Sequence, residues 1–148
     1  MESASSDASP ETEVRRIVDA ISAAVRARDV EAALAHYSPD TLLFDVIDPL
    51  SYKGIDALRQ RLKQWLSSFS GPLEFHTHEL RITAGQNVAF AHSLNQAVGE
   101  LNNGGRLDMY WRATLCLARH EGRWLITHGH SSVPFNMETG QASSDLKP

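Results

Sequence analysis

The hydrophobic positions change period partway along the chain. Val14, Ile17, Val18, Ile21 and Val25 recur three and four residues apart, as on one face of a helix. Ser9-Pro10, followed by Glu11 and Glu13, supplies a cap, a proline at the first helical position and acids in the first turn. Asp29 is placed to cap a second short helix carrying Val30, Ala33 and Leu34, ending near Tyr37-Ser38-Pro39. Thr41 to Ile47 reads as a strand. After Asp48-Pro49, Gly54 precedes a third helix, with Ile55, Leu58, Leu62, Trp65, Leu66 and Phe69 on one stripe and Ser70-Gly71-Pro72 as its stop. Beyond it the pattern becomes that of strands: Leu73 to Thr83, Val88 to Gly99, Arg106 to Arg119 and Arg123 to Val133. Asn103-Gly104 is a strong hairpin signal between the second and third. Three helices, an early strand and a four-stranded meander predict an α+β domain, a sheet curling over helices with a pocket inside. Trp65, Phe69, Phe90 and Trp124 are expected in or near the core.

The last strand carries the candidate chemistry. Strict alternation puts Trp124, Ile126, His128, His130 and Ser132 on one face, which starts apolar and ends in two imidazoles and a hydroxyl. A three-residue loop at His120-Glu121-Gly122 would pair residue 118 with 124, setting Thr114 opposite His128 and Arg112 opposite His130. The expected polar cluster is therefore Arg112, Thr114, His128 and His130, among Tyr110, Cys116, Trp124 and Ile126. Asp45 is a further candidate, because a carboxylate between Leu43 and Ile47 on an apolar strand face costs energy unless paired. The opposite face of the Arg106 to Arg119 strand is also apolar, and Met109, Trp111 and Leu115 are expected at a homodimer interface. His36 and His120 are read as solvated.

Composition narrows the function classes. The 148 residues suit one domain, and 42% hydrophobic content is enough for a core. A net charge of −4 gives no electrostatic case for nucleic acid, and the basic group Arg59, Arg61 and Lys63 reads as a solvated helix face. One cysteine, Cys116, allows no intrachain disulfide and suits a reducing cytoplasm. No apolar run reaches membrane-spanning length. Residues 1–10 read as a flexible leader without signal-peptide character, 11–135 as the domain and 136–148 as a polar tail. No cofactor is expected. His128 and His130 would stand roughly 6.5–7 Å apart along one strand face, with His76, His78, His92 or Asp45 as a third ligand if a metal were held.

These features resemble the NTF2-like superfamily, in its SnoaL-like and ketosteroid-isomerase-like branch. The residues carrying the resemblance are the two opening helices, Phe44-Asp45, Gly54 before the third helix, Arg112-x-Thr114, and Gly122-x-Trp124-x-Ile126-x-His128-x-His130-x-Ser132. It spans about Pro10 to Phe135. It implies an NTF2-like cone, three N-terminal helices packed in a strongly curved antiparallel sheet, but a fold does not settle an activity. Ketosteroid isomerase pairs a carboxylate base with a tyrosine and a protonated aspartate. Asp45, nine positions before Gly54, falls on the base, whereas the tyrosine falls at about Ile21 and the protonated acid at about Thr114. The resemblance therefore implies a base without that enzyme's electrophiles. Arg112, His128 and His130 are the expected substitutes.

The expected function is binding of a small, mostly apolar carbonyl compound. Isomerisation, dehydration, cyclisation or hydrolysis would proceed by Asp/His acid–base chemistry at Asp45, His128, His130 and Arg112. Thr114, Tyr110, His92, Trp65, Trp124 and Ile126 are expected around the substrate. The alternative is a non-catalytic ligand-binding or assembly module.

Overall fold

The computed structural model describes residues 8–148, so most of the expected leader lies outside the described residues. Helix α1 (Pro10–Arg26) is capped by the Ser9 hydroxyl, which accepts from the Thr12 N–H at 3.1 Å. Helix α2 (Val30–Leu34) is capped in the same way by Asp29. Strand β1 (Tyr37–Phe44) and the short β2 (Tyr52–Lys53) precede α3 (Ile55–Leu66). Four strands follow: β3 (Phe69–Ala84), β4 (Val88–Leu101), β5 (Arg106–His120) and β6 (Arg123–Ser132). The third helix stops at Leu66, and Ser70-Gly71-Pro72 lies inside β3 rather than ending the helix. Arg28 anchors that early start by donating to the carbonyl oxygens of Phe69, at 2.9 Å, and of Gly71. Among the described residues no helix is long and apolar enough to cross a membrane.

The six strands form one sheet in the order β2-β1-β6-β5-β4-β3. The sheet is mixed, not purely antiparallel, because β1 runs parallel to β6. A long crossover permits that direction, and most of the domain separates these two strands in sequence. Helices α1 and α3 pack on one face, which is called the inner face below, and α2 packs against both of them.

Strand alternation sets what the inner face contains. Leu73, Phe75 and Thr77 of β3 lie beside Gly99, Ala97 and Asn95 of β4, which pair with Leu107, Met109 and Trp111 of β5. Val25, Leu66, Phe69, Leu73, Phe75 and Ala97 form one buried cluster. Val14, Ala89, Leu117, Trp124 and Ile126 form a second beneath the start of α1. There Trp124 Nε1 donates to Glu13 at 3.1 Å, while Arg119 pairs with the same carboxylate and lies over the indole. Trp124 and Phe69 are core residues and Trp65 packs against the core. Phe90 is not: Ala89 and Ala91 take the inner positions, and Phe90 projects outward, 45% exposed.

The last hairpin differs from the expected one in two ways. Glu121 and Gly122, with φ of 52° and 78°, form a two-residue loop that pairs His120 with Arg123. Further along, Leu117 pairs with Ile126 but Cys116 with His128, so Thr127 is an extra residue in β6. The bulge moves the face of everything after it. Trp124 and Ile126 point inward, then Gly129 and Ser131, while His128, His130 and Ser132 point outward. A side chain at Gly129 would place a Cβ 3.3 Å from Leu43 Cδ1, so any larger residue there requires Leu43 to shift.

Candidate functional site

A cavity of about 230 Å³ lies between the inner face and the helices. Val18, Ile21 and Val25 of α1, Leu58, Leu62 and Trp65 of α3, and Met109, Trp111 and Leu115 of β5 make its wall mostly apolar. Trp65 meets Trp111 edge-on at 6.1 Å between ring centroids, and Phe75 lies 5.9 Å from Trp111. Met109, Trp111 and Leu115, expected at a dimer interface, instead line this cavity, because the face they share carries the helices.

Asp45 follows the last residue of β1 and lines the cavity. Its Oδ2 accepts from Arg61 Nε at 2.7 Å and its Oδ1 from the Val46 N–H at 2.6 Å. Both side chains are largely enclosed, at 14% and 13% exposure. Arg61 is therefore not part of a solvated helix face. It stands three residues after Leu58 and four before Trp65, which places it on the buried stripe of α3. That spacing is the signal by which the sequence reveals it.

Other polar groups are distributed over the wall. Ser22 and Thr77 hydroxyls face each other at 3.3 Å, and Ser93 donates to Asn95 Oδ1 at 2.8 Å. Tyr37, at the start of β1, also lines the cavity. Its hydroxyl has no hydrogen-bond partner among the described residues, and burial pushes its pKa up to about 12. It is a neutral donor at any physiological pH. Nothing in the local pattern singles it out, since it stands at a helix-to-strand junction. The Arg61 terminal nitrogens likewise have no hydrogen-bond partner among the described residues, although their guanidinium borders the cavity.

The residues expected to form one site are divided between two faces. Asp45 and Trp65 belong to the cavity. Trp124 and Ile126 are core residues beneath α1. Arg112, Thr114, His128 and His130 do cluster, but on the outer face, so they do not converge with Asp45. Arg112 Nε donates to Ser132 Oγ at 3.1 Å, Thr114 pairs with His130, and Cys116 pairs with His128. Thr114 and His130 border the cavity, but the strand register directs their side chains away from it. His128 Nδ1 lies 2.7 Å from the Leu42 carbonyl, and Phe44 packs edge-on against both imidazoles. Tyr110 and His92 are also outward, beside His78 and Phe90 respectively. His36 is half-buried rather than solvated; burial, and then the nearby Arg123, hold it below the ordinary histidine range. Among the described residues no three His, Cys, Asp or Glu side chains are grouped to hold a metal ion.

This architecture has clear relatives. Residues 14–136 match the SnoaL-like domain family, and the chain belongs to it. An NTF2-like protein of unknown function from Pseudomonas putida KT2440 is 34% identical over 93% of this chain and 96% of its own, with a TM-score of 0.84. An NTF2-like superfamily protein from Salmonella enterica is 15% identical, with a TM-score of 0.76 over 90% of this chain and 96% of its own. A ketosteroid isomerase-like protein from Erwinia carotovora is 17% identical, with a TM-score of 0.70 over 82% and 94%. The latter two likenesses concern the NTF2-like fold alone. A comparison with curated proteins finds no match.

Proposed function

We propose that the chain binds a small, mostly apolar carbonyl compound in the cavity and moves a proton on it, with Asp45 as the base. The observation that carries this reading is a carboxylate held by Arg61 on an otherwise apolar cavity wall. Two hydrogen bonds fix the carboxylate's orientation, and an ionised carboxylate has about four acceptor sites, so it keeps capacity to take a proton. The neutral Tyr37 hydroxyl supplies a donor on the same cavity. The volume is below the roughly 300–1,000 Å³ of drug-sized pockets, which favours ligands on the order of ten heavy atoms. Isomerisation and dehydration both begin with proton removal beside a carbonyl and suit this set of groups. Histidine acid–base chemistry has no support within the cavity, since His128 and His130 face outward.

The test is deuterium incorporation from D₂O into the α-carbon of acetophenone and cyclohexanone, followed by NMR. Faster exchange with wild type than with Asp45→Asn supports the reading; equal rates contradict it. A non-catalytic binding module is the second reading, favoured by the engagement of both Asp45 oxygens.

Two copies pairing through the outer face is also part of the proposed function. Helices leave that face uncovered, and exposed Phe90 and Val88 lie on or beside it. Light scattering showing only a monomer at micromolar concentration would exclude this. The single free Cys116 suits a reducing cytoplasm.

A further inference from the structure

We propose that Arg61 holds the ligand's carbonyl oxygen, and that the cavity selects neutral carbonyl compounds over carboxylates. This rests on the cavity being the ligand site, as in the function proposed above. Arg61 spends its Nε–H on Asp45 and has four further N–H donors on its terminal nitrogens. Those donors have no protein partner among the described residues, and the Arg61 side chain, 13% exposed, borders an otherwise apolar cavity. Donors that open into an apolar cavity gain a partner when an acceptor enters it. A carbonyl oxygen entering the cavity is such an acceptor.

Charge selects which acceptor. Asp45 and Arg61 sum to zero, and no other ionised side chain points into the cavity among the described residues. A neutral carbonyl compound preserves that sum. A carboxylate makes it −1 in poorly solvated surroundings, beside Asp45 itself, and repulsion and desolvation both oppose this.

Proton transfer also conserves the balance. A C–H bond beside the carbonyl breaks and its proton joins an Asp45 oxygen. The C–H electron pair forms the new C=C bond, and the carbonyl π pair moves to oxygen. Asp45 becomes neutral as the enolate oxygen takes the negative charge, so Arg61 exchanges one anionic partner for another. Where the carbonyl compound carries a β,γ C=C bond, the anion extends over it. Returning the proton from Asp45 to the γ carbon then shifts the C=C to the α,β position, re-forms the carbonyl and completes an isomerisation without any co-reactant. Arg112, on the outer face, takes no part.

Three probes of similar size test the assignment at pH 8: acetophenone, benzoate and ethylbenzene, titrated by quenching of the cavity indoles Trp65 and Trp111. In wild type acetophenone is expected to bind at least fivefold tighter than ethylbenzene and at least tenfold tighter than benzoate. Asp45→Asn leaves the cation unbalanced, so benzoate affinity should rise at least tenfold. Arg61→Met should erase the preference for acetophenone over ethylbenzene, with circular dichroism confirming the fold. Should that variant unfold, the wild-type ranking and the Asp45→Asn inversion still decide the matter. Benzoate binding as tightly as acetophenone to wild type, or no gain of benzoate in Asp45→Asn, overturns the inference. Failure of all three probes to bind overturns both the inference and the cavity as ligand site. If the ranking holds while α-carbon exchange is absent, Arg61 keeps its assignment and only the proton-transfer reading falls.

Discussion

Arg61 Nε lies 2.7 Å from Asp45 Oδ2, joining the middle of α3 to the end of β1 across the cavity wall. The contact fixes a carboxylate that would otherwise be free to turn at a strand end. It also keeps a guanidinium inside an apolar enclosure, where each ion depends on the other.

Replacing Asp45 with Asn separates chemistry from structure. The amide keeps the shape and one acceptor oxygen but loses the charge opposite Arg61. Chemical denaturation should show a loss of about 1–3 kcal/mol, the usual consequence of weakening one side of an enclosed polar contact, with the fold intact by circular dichroism. Ketone α-carbon exchange should fall to the uncatalysed rate.

The outer cluster should behave differently. Arg112→Ala and His128→Ala alter groups on the face opposite the cavity. Each should leave acetophenone affinity within about twofold of wild type in the same quenching titration. A tenfold loss in either would move the ligand site to the outer face.

Why Asp45 is readable from sequence and its partner is not follows from their settings. Asp45 stands among Leu42, Leu43, Phe44, Val46 and Ile47 at the end of β1 and so stands out, while Arg61 sits between Arg59 and Lys63, where charge clustering suggests solvent. Only the Leu58, Arg61, Leu62, Trp65 spacing reveals its inward position. The helices, their caps at Ser9 and Asp29, and the meander are legible because local periodicity and capping chemistry determine them. The faces of His128 and His130 are not legible, because one bulged residue at Thr127 inverts the alternation without a marker in composition. Met109 and Trp111 read as an interface, although they line the cavity, because the hairpin loop has two residues rather than the expected three. The two-residue loop pairs Arg119 with Trp124 and Leu117 with Ile126, so the apolar odd-numbered face of β5 joins the core and Asp108, Tyr110, Arg112 and Thr114 face outward.

Tyr37 provides a pH test. Its pKa is raised above the ordinary value of 10 to about 12 by burial, so the folded state holds its proton more tightly than the unfolded state. The resulting stabilisation is complete below pH 10 and is lost as pH rises through about 12. Subtracting the 295 nm titration of Tyr37→Phe from that of wild type should leave one transition with a midpoint near 12. A midpoint near 10 would show that the ring is solvated.

Ile126 is completely buried beneath α1. Ile126→Ala should cost about 2–5 kcal/mol in urea denaturation, the range for truncating a core aliphatic side chain. Leu50→Ala, at a side chain 95% exposed, should change stability by no more than about 0.5 kcal/mol. Similar effects in both variants would contradict the assigned core.

The position of the ligand is tested most directly by methyl NMR of protein labelled with ¹³C at methionine. Met109 lines the cavity, whereas Met137 lies in the exposed C-terminal segment. Titration with acetophenone should shift the Met109 methyl resonance and give intermolecular NOEs between it and the ligand's ring protons, with Met137 unmoved. A saturable shift at Met137 with Met109 unchanged would contradict a ligand site inside the cone.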